Sequence, residues 1–162
     1  MRSRTIEDCV KEAKVLAERG VKELIVVAQD TTAYGEDIYG KPMLSKLLKE
    51  LCKIDGLHWI RTLYTYPDRI DDELLETIKS EEKLVKYLDI PLQHVDGEIL
   101  KRMNRKGDRE SLSKLIDKIR DKIPEITLRT TFITGFPGET DEQFCSLAEF
   151  AKEKRFDRLG CF

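Results

Sequence analysis

The stretch LRTTFITGFPGETDEQ, residues 128–143, decides how the chain folds. The β-branched run over 126–134 has the composition of a strand and stops at Gly135. Gly135-Phe136-Pro137-Gly138 then reads as a turn, whose two glycines allow backbone angles closed to other residues. Thr140 and Gln143 stand in capping-box register, so a helix begins there. Strand, glycine turn and helix N-terminus leave N–H groups and a positive dipole end beside the strand's carboxyl end. That is where α/β proteins hold ligands. The same residues also fit a plain strand-to-helix turn with no ligand.

Working outward, the pattern repeats. Upstream lie a helix carrying Leu112, Leu115, Ile116 and Ile119, a short helix with Ile99, Leu100 and Met103, and a strand over 84–90 ended by Pro91. Before those come a helix opened by Asp71-Asp72, a strand over 59–66 stopped by Pro67, and a helix with Leu44, Leu47, Leu48 and Leu51. A polar loop over 30–42 follows ELIVVAQ (23–29), a continuous apolar strand of the kind buried on both faces. The first helix presents Ile6, Cys9, Val10, Ala13, Leu16 and Ala17 and stops at Gly20; downstream, a helix with Phe144 and Leu147 leads to a strand over 158–162. Alternating helices and strands predict parallel strands joined by right-handed crossovers. A partial barrel and a doubly wound sheet both satisfy this order.

A chain of 162 residues supports one core and one domain. Its 29 basic and 31 acidic residues balance to −2, which gives no sign of a polyanion partner. The Lys101-Arg102 and Arg105-Lys106 pairs admit either a solvated face or a phosphate contact. No apolar run reaches membrane length and the opening residues hold no signal-peptide core, so no membrane partner and a cytoplasmic location are expected. Cys9, Cys52, Cys145 and Cys161 are far apart, and His58 and His94 add no ligand cluster, so no metal site is expected from this chain alone.

In a parallel sheet the residues past each strand's carboxyl end meet on one rim. Here these are Gln29, Asp30, Thr31 and Thr32; 64–67; Gln93 and His94; 134–139, with Gly135, Phe136, Gly138 and Glu139; and Phe162. Such a rim suits a small ligand with an amino-acid head, sugar hydroxyls and a flat base. Each group has a plainer role open to it. Gln29-Asp30 can cap a loop, His94 can be a satisfied structural histidine, and Asp71-Asp72 suits a helix start. GFPGET lacks the Gly-Lys-Ser/Thr ending of a P-loop.

QDTTAYG (29–35), DGLHWIRTLYTYP (55–67), IPLQH (90–94), LKRMNR (100–105), GFPGET (135–140) and RFDRLGCF (155–162) together resemble the radical S-adenosylmethionine methylthiotransferases. Within that family the 29–35 loop and the 59–67 strand resemble the branch that modifies an aspartate of a small-subunit ribosomal protein. The tRNA-modifying branch and a non-catalytic α/β ligand-binding module are the alternatives. The resemblance implies a partial (β/α)6 TIM-like barrel, with S-adenosylmethionine and 4Fe-4S clusters as cofactors and a ribosomal protein as substrate. Family members hold the first cluster on CxxxCxxC, which this sequence lacks; SRTIEDCVKEAKVLAERG resembles the segment just past that loop in the family. The resemblance therefore implies one domain over 1–162, strands two to six of the core. The first strand and cluster loop, the N-terminal cluster domain and the C-terminal TRAM domain fall outside it, and this piece alone is expected to be inactive. Its exposed strand edge is expected to be covered, for instance in an edge-mediated dimer. By position, Gln29 and Asp30 fall near the methionine head, Gln93 and His94 near the ribose, and Gly135, Phe136, Gly138, Glu139 and Phe162 near the adenine. Arg129 and Thr131, inside the strand, are further candidates.

Overall fold

The computed structural model describes residues 2–162. Its elements run α1 (Ile6–Glu18), β1 (Glu23–Val26), α2 (Glu36–Tyr39), α3 (Leu44–Cys52), β2 (Trp59–Thr62), a 3₁₀ turn (Pro67–Arg69), α4 (Asp72–Ser80), β3 (Tyr87–Asp89), α5 (Gly97–Arg102), α6 (Arg109–Lys122), β4 (Thr127–Phe132), α7 (Asp141–Lys154) and β5 (Arg158–Cys161). The helix starts obey local chemistry. Asp71 accepts from Leu74 N at 2.8 Å and caps α4, and Thr140 with Gln143 forms the expected capping box on α7. The short helix α2, inside the polar loop, is too brief to leave a periodic signal.

All pairings are parallel. β1 and β2 run in register from Glu23↔Trp59 to Val26↔Thr62, β3 and β4 from Tyr87↔Thr127 to Asp89↔Arg129, and β4 and β5 from Arg129↔Arg158 to Phe132↔Cys161. β2 reaches the β3 side through the single bridge Ile60↔Leu84, with Ile60 N donating to Lys83 O at 2.7 Å and Val85 N to Ile60 O at 3.1 Å. Spatial order therefore equals chain order. Right-handed crossovers in one direction put every helix on the same face, which closes a sheet toward a barrel rather than covering it on two sides.

The core lies between the sheet's convex face and the helices. Leu88, Leu128 and Phe132 from the strands are buried with Leu48, Leu75, Ile78, Ile116 and Phe150 from the helices. Phe132 meets Phe156 edge-on, ring centroids 5.9 Å apart. The concave face is more open. Ile25 and Val27 remain 48% and 58% exposed, which corrects the expectation that the first apolar strand is buried on both faces. Its second edge carries no strand among the described residues, and a hollow of about 410 Å³ lies beside it, walled by Ala13, Leu16, Leu47 and residues 24–28. No helix among the described residues is long and apolar enough to cross a membrane.

Candidate functional site

β4 sets the floor of the concave face. Arg129 and Thr131 share one side of the strand, and their register partners Asp89, Arg158 and Gly160 lie on that side of the neighbouring strands. Arg129 Nη1 donates to Asp89 Oδ1 at 2.6 Å, and the Asp89 side chain is 2% exposed. The hydrogen bond to Asp89 raises the Arg129 pKa above its ordinary value. Asp89 Oδ2 also accepts from Tyr64 N at 3.3 Å. A lone carboxylate inside the apolar run LVKYLDIPL was the available signal for this pair. Gly160 leaves the floor bare: a Cβ there would stand 3.7 Å from Thr131 Oγ1 and 4.0 Å from Arg129 Nη2.

The rim above this floor is drawn together by main-chain bonds. Gln93 N donates to Thr131 O at 2.8 Å, Ile133 N to Gln93 O at 2.8 Å, and Thr134 N to Phe162 O at 2.9 Å. Gln93 and Tyr64, non-glycine residues at the carboxyl ends of adjacent strands, adopt left-handed φ of 68° and 58°. Strain of this kind gathers at ligand sites. The Gln93 amide makes no hydrogen bond among the described residues, and neither does that of the exposed Gln29. Phe162 is 81% exposed.

Four of the expected contact residues, His94, Glu139, Asp30 and Gly138, have partners within the protein itself. His94 is wholly buried: Nδ1 accepts from Asp96 N at 3.0 Å, which leaves Nε2 to donate toward Glu139 Oε1 at 3.3 Å. Glu139 Oε2 accepts from Phe136 N at 3.0 Å, so both side chains lie beneath the rim and hold it. Asp30 Oδ1 accepts from Thr32 N at 2.9 Å and from the Thr32 hydroxyl, and Oδ2 faces Arg69 Nε at 3.5 Å; it shapes its own loop. Gly138 is covered by the Arg102 guanidinium, which donates to Pro137 O and lies 5.4 Å from the Phe136 ring centre. Gly135 stands free, with nothing within 4 Å of a Cβ placed there.

The turn is no phosphate cradle. Phe136-Pro137-Gly138-Glu139 is a β-turn closed by Glu139 N donating to Phe136 O at 2.8 Å, with Gly138 at φ 80°. Thr140 N and Gln143 N are used within the capping box, and Asp141 and Glu142 occupy the first turn of α7. Carboxylates already answer the dipole that an anion would use.

No group of three or more His, Cys, Asp or Glu among the described residues is placed to hold a metal ion. The four cysteines lie apart on α1, α3, α7 and β5, so a 4Fe-4S cluster does not fit this chain's own residues. The floor and rim do fit a flat, polar small molecule, since Gly160 and Gly135 leave room and two amides are unspent.

A parallel sheet in chain order, helices on its convex face and a polar rim at the strands' carboxyl ends define a partial (β/α) barrel. The chain belongs to the radical SAM superfamily, which matches residues 1–151. It is 57% identical over 161 residues to a protein of Thermoanaerobacter sp. (strain X514) named ribosomal protein uS12 methylthiotransferase RimO, and 55% identical over 160 residues to one of the same name from Alkaliphilus oremlandii. These matches cover 99% of this chain but only 37% and 36% of those relatives, so the chain spans little more than a third of their length. Among solved structures, the radical SAM enzyme coproporphyrinogen III oxidase (HemN) of Escherichia coli aligns with TM-score 0.68 and 22% identity, covering 97% of this chain and 36% of that one. Streptococcus suis SuiB aligns with TM-score 0.65 and 15% identity over 99% of this chain and 33% of that one. Both show the fold.

Proposed function

We propose that residues 2–162 form the cofactor-facing part of the reaction barrel of a radical S-adenosylmethionine methylthiotransferase that modifies an aspartate of ribosomal protein uS12. The observation carrying this reading is identity of 55–57% sustained across 99% of the chain to relatives bearing that name. S-adenosylmethionine, when bound, supplies the group that takes a hydrogen from the substrate carbon. The chain's own residues bind and orient it. The Gln29 amide meets the amino-acid head and the Gln93 amide the ribose, while the Gly135-Phe136 backbone and the Phe162 ring flank the base. Arg129 and Thr131 line the floor, and His94 with Glu139 keeps the rim in place. The iron–sulfur ligands belong to a part of the longer protein outside these residues, and a further strand covers the free edge of β1.

The test is a chimaera in which this chain replaces the matching stretch of the Thermoanaerobacter relative. With its clusters reconstituted anaerobically, it should add one methylthio group to uS12, on a single aspartate, as seen by mass spectrometry. A cluster-loaded chimaera that leaves uS12 unchanged, or that modifies tRNA instead, overturns the proposal.

A further inference from the structure

We propose that a cleft at the rim, beside the concave floor, binds an isolated carboxylate of an incoming polypeptide through Arg105. The cleft, of about 410 Å³, opens between the Pro67–Arg69 turn and the connection from α5 to α6. Gln29, Tyr66, Leu92, Asn104 and Arg105 are among its walls.

Charge accounting isolates one residue. Arg69 pairs with Glu36 and faces Asp30 at 3.5 Å, and Lys106 stands 3.9 Å from Asp68. Arg102, from the same basic run, is spent on Pro137 O and the Phe136 ring. Arg105 meets no carboxylate among the described residues, yet it is firmly held. Its Nη1 donates to Pro91 O at 3.0 Å, Nη2 reaches the Tyr66 hydroxyl at 3.4 Å, and the guanidinium lies 4.5 Å from the Tyr66 ring centre. The backbone is fixed too: Asn104 takes φ 57° after α5, and Arg105 N donates to Leu100 O at 2.7 Å. Two of five N–H groups are used, so a half-buried, preorganised cation keeps donors for an anion.

The walls choose among anions. An RNA backbone needs several free cations along its path, and this cleft offers one. The Asn104 amide beside Leu92 and an aromatic ring suits a peptide group and a single carboxylate. The inference rests on the proposed function only for which polypeptide is bound.

The test uses the chimaera without S-adenosylmethionine and two labelled uS12 peptides, one with the target aspartate and one with asparagine there. By fluorescence anisotropy, the aspartate peptide should bind about tenfold more tightly, the worth of one charge-assisted hydrogen-bonded contact. Arg105→Gln should erase that difference, and Arg105→Lys should keep part of it. S-adenosylmethionine affinity of Arg105→Gln should match the parent, separating a local loss from misfolding. Equal binding of the two peptides overturns the inference. So does an Arg105→Gln variant whose loss falls on an RNA oligonucleotide, or equally on peptide and S-adenosylmethionine. A chimaera that discriminates the peptides through Arg105 but transfers no methylthio group sinks the enzymatic reading alone. One that transfers it with Arg105→Gln indifferent sinks only the carboxylate site.

Discussion

His94 Nε2 stands 3.3 Å from Glu139 Oε1, with the two side chains 0% and 4% exposed. The contact binds the segment after β3 to the turn after β4. It belongs to a closed circuit, since Asp96 N donates back to His94 Nδ1 at 3.0 Å and Gln143 Nε2 donates to Asp96 Oδ1 at 2.9 Å. Rim geometry on two neighbouring strands is thus held by side chains that no ligand needs to touch.

Glu139→Ala should destabilise the fold by about 2 kcal/mol, because Phe136 N and the His94 ring lose their acceptor in a buried place. Urea titration reads this directly. Glu139→Gln keeps one acceptor oxygen but turns an NH2 donor toward the second N–H, so it should recover only part of the loss; a variant as stable as the parent would mean that only one of the two accepted bonds matters.

Gly138→Ala and Gly135→Ala should each cost about 1 kcal/mol for the left-handed backbone, at φ 80° and 69°. Gly138→Ala should cost more, because its Cβ would lie 2.8 Å from Arg102 Nη1 and displace that guanidinium from Pro137 O. In an Arg102→Ala background the two costs should converge. A double-mutant cycle on melting temperature decides it.

Arg129→Ala strands the Asp89 carboxylate, 2% exposed, without its cation. A loss of about 3 kcal/mol is expected, the usual range for breaking a buried pair from one side. Asp89→Asn in the same background should restore part of the loss, since an amide tolerates burial better than a lone charge. Chemical denaturation of the two variants makes the comparison.

Acid should weaken the tie between α4 and α6. Hydrogen bonds from Lys122 and Lys118, each 2.9 Å from Asp72 Oδ1, hold that carboxyl at about 2, below its ordinary 3.8. A depressed folded-state pKa means the unfolded chain binds more protons between 3.8 and about 2, so this contribution is complete above that window and is lost as pH falls through it. Asp72→Asn should flatten the melting temperature's pH dependence there. The effect should shrink in salt, because the site is exposed.

Much of the fold was legible residue by residue. Thr140 with Gln143 and Asp71 mark helix starts through chemistry that acts within four positions, so those boundaries agree with the structure. The strand expected to run to Pro67 ends instead at Thr62, because its pairing with β1 stops there. The rim was legible as a set of positions, because residues after parallel strands must share one end. Which rim side chains point outward was not. His94 and Gln93 are adjacent in sequence, yet the left-handed turn at Gln93 leaves its amide unspent while His94 is buried. The basic run 101–106 likewise looked uniform, and only packing divides it into Arg102, spent on the 136–137 turn, and Arg105, stacked on Tyr66.

The sequence by itself determined the alternation of helices and parallel strands and the residues that cap them, because periodicity and capping are local. Tertiary structure alone decided that the sheet curls in chain order rather than winding both ways. It also decided that Asp89 answers Arg129 forty positions away and that His94 pairs with Glu139. Those outcomes depend on strand register and burial, which arise only when distant segments pair.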